Sequence, residues 1–359
     1  MDESFLVKKN TQKEEKKKKG LFFVLGKRVR SGRFAFLLVA FLFTLVGLSM
    51  STYAWFTSNF TVSVQEIDVN VSSGSGIQIS TNAKDWKSLI TLDDITTNKY
   101  AEAVNQLPGS SAQINPVSTV ADAYAAATDA SQGLKMFRGT IVNDVQNGTM
   151  YLDSVQQTDS STGGDYVAFD LFLKLDFSSD KQVYLTSNTG ITGGSPNTFI
   201  EYAGRMGFVV NGHTSSSDTV AHMTALKGAT DVLIYEPNYD VHTANGLTNG
   251  RDNYDITGYT ATGNASAVPY YGVISEFAYD GANSSTGTIL KSTEATKFKA
   301  VTPTLKTTSG NTERTAFLTL SPGVTKIRVY MWIEGQDIDC ENTASGGQVK
   351  FQLGFTVDE

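Results

Sequence analysis

Residues 166–177 read Tyr-Val-Ala-Phe-Asp-Leu-Phe-Leu-Lys-Leu-Asp-Phe, and their period decides the fold. Val167, Phe169, Leu171, Leu173, Leu175 and Phe177 fall on one face. Asp170, Lys174 and Asp176 fall on the other, beside Tyr166, Ala168 and Phe172. Alternation with period two is the geometry of a strand, whose successive side chains point to opposite sides. The same period returns twice near the C-terminus. In 326–334, Ile327, Val329, Met331 and Ile333 oppose Lys326, Arg328, Tyr330, Trp332 and Glu334. In 349–357, Val349, Phe351, Leu353, Phe355 and Val357 oppose Lys350, Gln352, Gly354 and Thr356. Each pattern predicts a strand with one buried face, the signature of antiparallel sheets. Weaker strand signals lie at 148–155, 182–187, 205–210, 231–235 and 314–320. The stretches Ser160–Gly164, Gly193–Asn197 and Thr214–Asp218 read as turns between them. The expected fold is mainly β: an antiparallel β-sandwich of two packed sheets.

The strand signal at 60–71 is broken. Phe60, Val62 and Val64 share one parity, whereas Ile67, Val69 and Val71 share the other. A one-residue slip turns every later side chain to the opposite face. A bulge or a crossing between sheets is therefore expected at Gln65-Glu66.

Upstream of this strand, residues 34–56 form a run of 23 residues without a charge. A membrane-spanning helix needs roughly 20 apolar residues, and the apolar part of a cleaved leader roughly 7–15. Lys27, Arg28, Arg30 and Arg33 abut the run, and Lys16, Lys17, Lys18 and Lys19 precede them. Positive flanks stay on the cytoplasmic side. Three parts are thus expected: a basic cytoplasmic tail (1–33), a hydrophobic helix serving as signal peptide or transmembrane anchor (34–56), and an extracellular β-sandwich domain (57–359). Thr52-Tyr53-Ala54 fits a signal-peptidase cut between Ala54 and Trp55. Residues 34–56 would meet membrane lipid. Beside a membrane segment the basic tail reads as an orientation signal rather than a nucleic-acid patch, and the exported part, which carries 32 of the 36 acidic residues, argues against nucleic acid as its ligand. The sole cysteine, Cys340, leaves an exported domain with no internal disulfide. Two stretches read as insertions. One spans about 99–135 and carries the helix-favouring run Ala121–Ala127. The other spans about 238–300 and is rich in Gly, Asn, Thr and Tyr.

Catalytic patterns are missing. His213, His222 and His242 have no metal-ligand spacing, and there is neither a GxSxG turn nor a phosphate-binding loop. No enzyme activity and no cofactor are expected, with one candidate exception. Glu334, Asp337 and Asp339 follow the 326–334 strand, and three carboxylates in one turn are candidate ligands for calcium. The competing reading is a solvated acidic turn.

Several segments resemble a class of proteins exported by Gram-positive bacteria. Tyr53-Ala54-Trp55-Phe56-Thr57, followed by a Val/Ile-alternating strand, resembles the SipW-type signal region of TasA/camelysin-like proteins. Ile77–Thr81 with Trp86 fits as the next strand and turn. Ile234–Asn238 and Ile327–Cys340 resemble IWEPN and WIEGxDxDC segments of uncharacterised relatives. The resemblance implies a jelly-roll-like form and self-assembly into matrix fibres through the N-terminal strand at 60–71. The chain lacks HExxH, so it does not extend the protease activity ascribed to camelysin. The expected role is a cell-surface or matrix structural protein of a Gram-positive bacterium, held at the cell membrane or released. The alternative is a glycan- or ligand-binding adhesion module. In that reading Tyr235, Tyr239, Tyr254, Tyr259, Tyr270 and Tyr271 offer stacking platforms.

Overall fold

The computed structural model describes residues 61–358, apart from 73–75, 108–112, 124–132, 145–148, 158, 160–163, 195–197, 245–277, 280–287, 292–302, 309, 338 and 341–343. The expected helix at 34–56 and the cut at Ala54-Trp55 lie outside these residues. No helix among them is long and apolar enough to cross a membrane. They belong to one compact unit, Tyr53–Glu359.

The protein is mainly β, with three sheets. The first runs Thr315–Leu320, Lys181–Leu185, Gln348–Val357, Val62–Val71, Leu89–Thr91. Gly190–Gly193 adds to the Gln348–Val357 strand and Gln113–Ile114 to the Val62–Val71 strand. The second runs Leu305–Lys306, Val232–Glu236, Gly204–Thr214, Gly323–Ile333, Val167–Leu175, Ile77–Ser80, with Asn105–Gln106 paired to Val167–Leu175. The third runs Ala278–Tyr279, Thr288–Lys291, Thr149–Gln157, Leu134–Asp144, Ser118–Ala123.

Inward side chains of the first two sheets share one apolar core. Val62, Val64, Ile67, Val69 and Val71 meet Val167, Phe169, Leu171 and Leu173, together with Ile327, Val329, Phe351 and Phe355. The phase change in the first strand is a bulge. Val64 pairs with Val349 but Glu66 with Lys350, so Gln65 is left over and points to solvent. The extra residue restores the inward parity of Ile67, Val69 and Val71.

Three expectations change. The sheets are not wholly antiparallel: Val62–Val71 runs parallel to Gln348–Val357. Strands from opposite ends of the chain need no hairpin between them, so direction is set by packing and not by a turn. Nor do the central strands keep a solvent face. Every residue of Gly323–Ile333 is buried. Leu134 and Met136 of the third sheet cover Tyr166, Ala168, Tyr330 and Trp332. Met223 and Ala83, with Trp86 and Tyr100, cover Phe172. The helix expected over Ala121–Ala127 is also corrected where it is described. Ala121–Ala123 end a strand whose Ala123 pairs with Leu134, so pairing overrides the helical preference of alanine.

Covering the second face forces its charges into the interior. Arg328 Nε donates to Asp170 Oδ1 at 2.8 Å and Arg328 Nη1 to Asp159 Oδ2 at 3.1 Å. Lys326 Nζ lies 3.4 Å from Asp170 Oδ2 and donates to the Thr224 and Leu226 carbonyls. The Tyr100 hydroxyl also donates to Asp170. Burial acts to raise the Asp170 pKa, but Arg328 and Lys326 outweigh it and hold the carboxyl below its ordinary value. A depressed carboxylate pKa stabilises the fold above the unfolded pKa, and that stabilisation is lost as pH falls through the folded value. Asp170→Asn is expected to cost roughly 3–5 kcal/mol at neutral pH, because it leaves buried cations uncompensated. Denaturant titrations should show the gap between wild type and variant shrinking below about pH 4.

Candidate functional site

The Gly323–Ile333 strand ends in a turn that carries the three predicted carboxylates. Main-chain bonds pin it: Glu334 N to Ala203 O at 2.8 Å, Gly335 N to Val117 O at 2.9 Å and Cys340 N to Asp337 O at 3.0 Å. The turn is not solvated. Glu334, Asp337 and Asp339 are 1 %, 5 % and 0 % exposed.

The three carboxylates take different partners. Glu334 accepts from Trp332 Nε1 and from the Gln336 amide, both at 3.0 Å. It braces the turn from within. Asp337 accepts from the Asp339 amide at 2.8 Å and forms an ion pair with Arg205. Asp339 accepts from the Thr243 amide at 2.7 Å and lies 2.7 Å from His242 Nδ1. His242, Asp337 and Asp339 each place one potential ligand atom within 4.8 Å of the others. The structure therefore keeps Asp337 and Asp339 together, moves Glu334 aside and brings in His242, which the sequence leaves as a loop histidine.

Two strand ends complete the site. Arg205 opens the Gly204–Thr214 strand beside Gly204, and its guanidinium reaches the Gly204 carbonyl at 2.8 Å and Glu236 Oε1 at 2.7 Å. Glu236 closes the Val232–Glu236 strand. Glu201 lies close by, under Gly193. A Cβ at position 193 would come within 2.5 Å of Glu201 Oε2, so glycine makes room for the carboxylate. Glu236 Oε2, Glu201 Oε2 and His242 Nε2 are buried without a hydrogen-bond partner among the described residues.

The electrostatics follow from this crowding. Burial pushes the Glu236 pKa up to about 7, against the pull of Arg205. Burial also raises Asp339 and Glu201. For His242, burial disfavours the imidazolium, but Asp339, Asp337 and Glu236 outweigh it and the pKa rises. Buried close together, these carboxylates hold a proton more tightly than carboxylates in water do.

Arg205, Glu236 and His242 are spread along the sequence and meet only through strand pairing. The available signal was a charge embedded in an apolar strand, as in Arg205-Met-Gly-Phe-Val-Val and Leu-Ile-Tyr-Glu236. Cys340 is buried next to the turn.

Away from this cluster, a cavity of about 270 Å³ is lined by Thr186, Asn188, Thr189, Tyr235, Asn238 and Thr307. Tyr235 does not serve there as a stacking platform. It is 1 % exposed, and its hydroxyl bonds the Thr189 carbonyl at 3.1 Å and Thr307 Oγ1 at 2.9 Å. Tyr239 is covered by Lys306 Nζ, 3.9 Å from the ring centroid. Tyr254, Tyr259, Tyr270 and Tyr271 lie outside the described residues.

Comparison of the chain with protein-family models, curated proteins and solved structures finds no match.

Arg205 is the guanidinium shared by Glu236 and Asp337, so Arg205→Met should destabilise the protein by roughly 3–5 kcal/mol. The loss would be read as a lower denaturation midpoint at unchanged slope.

Proposed function

We propose that the protein is an exported structural component of a bacterial cell surface or matrix, with a jelly-roll-like β-sandwich body. Residues 34–56 lie in the membrane as an anchor or are removed by signal peptidase after Ala54. The segment at 60–71 then serves as the assembly element.

One observation carries this reading. The strand nearest the hydrophobic segment lies parallel to the last strand, and its inward side chains, Val62, Val64, Ile67, Val69 and Val71, complete the core. Its pairing with Gln348–Val357 contains no tight turn. A copy of the same segment from a neighbouring molecule would make the same ladder and fill the same row of the core. Exchange of an identical element is a low-cost route to assembly, and strand addition supplies main-chain hydrogen bonds along the whole segment. In the single chain the strand occupies its own sheet. It is flanked on the far side by Leu89–Thr91 and Gln113–Ile114, so assembly requires it to leave. The resemblance of residues 53–57 to the signal region of exported TasA/camelysin-like proteins supports the same reading.

A second reading, a module for small polar or glycan ligands, is favoured by the threonine- and asparagine-lined cavity.

Disulfide trapping separates the two. Asp68 and Gln352 are register partners across the parallel pair. In the full chain carrying Asp68→Cys and Gln352→Cys, oxidation of cell-associated protein should give a ladder of covalent multimers. Crosslinks confined to single chains would contradict assembly through this strand and leave the ligand-binding module.

A further inference from the structure

We propose that the buried pocket at the end of the Gly323–Ile333 strand binds a divalent transition-metal ion of the zinc class, with His242, Asp337 and Asp339 as ligands. The inference is independent of the structural role given above.

Geometry is the first support. One nitrogen and two carboxylate oxygens converge within 4.8 Å from two chain segments. Tetrahedral zinc sites use nitrogen and oxygen ligands about 2.0–2.2 Å from the ion, which sets the ligand atoms a little over 3 Å apart. Small side-chain shifts would close the set.

The orphaned atoms are a second and separate support. Buried polar groups nearly always have partners, and an exception calls for a cause. His242 Nε2 and Glu236 Oε2 have none among the described residues. The His242 side chain is 4 % exposed and that of Glu236 2 %. Glu236 is bound to the same guanidinium nitrogen as Asp337, so its free oxygen belongs to the same pocket.

Charge is the third. Glu201, Glu236, Glu334, Asp337 and Asp339 are all buried. Arg205 and His242 are the cationic groups that pair with them in the described contacts. A divalent cation held by Asp337 and Asp339 would offset two of these buried carboxylates at once.

The donor set selects the metal. Calcium takes six to eight oxygen ligands, whereas the converging set has three members and one is an imidazole. Imidazole with carboxylate suits zinc and its neighbours. The calcium expected at Glu334, Asp337 and Asp339 is thus replaced by a softer ion, and Glu334, committed to Trp332 and the Gln336 amide, is not a ligand.

The test uses the full chain in detergent, stripped with a chelator and dialysed against zinc, with bound metal measured per chain. One equivalent is expected. His213→Gln with His222→Gln removes the other two histidines and should leave uptake unchanged. His242→Gln should weaken it at least ~10-fold. If His242→Gln does not fold, nitrogen-15 spectra of the His213→Gln/His222→Gln protein decide, because its single remaining imidazole must shift on adding one equivalent of zinc. No stoichiometric uptake, uptake lost with His213 and His222, uptake indifferent to His242, an unmoved imidazole signal, or binding of calcium alone would each overturn the proposal.

Discussion

The protein depends on one constraint: a sheet buried on both faces whose central strand carries charge. Gly323–Ile333 has no exposed residue, yet it contains Lys326 and Arg328. Such a strand is tolerable only if each charge meets a partner where it is buried. Asp170, on the adjacent strand, faces Arg328 directly in the register, and Asp159 takes the other side of the same guanidinium. The third sheet then closes over this layer. The Tyr330 hydroxyl accepts the Leu134 amide at 3.0 Å and donates to Asp159 at 2.5 Å, tying the covering strand to the ion cluster.

The same constraint explains the polar pocket at the strand end. Beyond Ile333 the chain turns within the covered region instead of emerging into water. Its carboxylates therefore face Arg205, Glu236 and His242 from neighbouring elements. Two buried polar clusters, one around Asp170 and one around Asp337, flank a single strand. They differ in pairing. Around Asp170 the cations match the anions. Around Asp337, Glu236 Oε2 and His242 Nε2 lack hydrogen-bond partners among the described residues. The first cluster supports the fold, and the second is where a ligand would act.

Much of the fold was legible in the residues because period-two alternation survives wherever one face packs against a core. The strands at 166–177, 326–334 and 349–357 and the weaker ones at 148–155, 182–187, 205–210, 231–235 and 314–320 all correspond to strands. The break at Gln65-Glu66 located the bulge, because a bulge is a parity change in the sequence itself. The third layer was not legible. A second covered face looks like a solvent face as long as it carries Lys326, Arg328, Tyr330 and Trp332, and only their partners show otherwise. Of the candidate site, Asp337 and Asp339 were found through local clustering. His242, Glu236 and Arg205 were not, because strand pairing brings them in from far along the chain.

The second face of the middle sheet is dry. Trp332 reports it most directly, since alternation places it on the face opposite the main core and the structure covers it with Leu134 and Met136. The chain has three tryptophans, so Trp55→Phe with Trp86→Phe leaves Trp332 as the sole emitter. A dry face gives blue-shifted fluorescence that acrylamide and iodide barely quench in the native protein, and that becomes fully quenchable on unfolding. Emission like that of tryptophan in water, freely quenched in the native state, would contradict it.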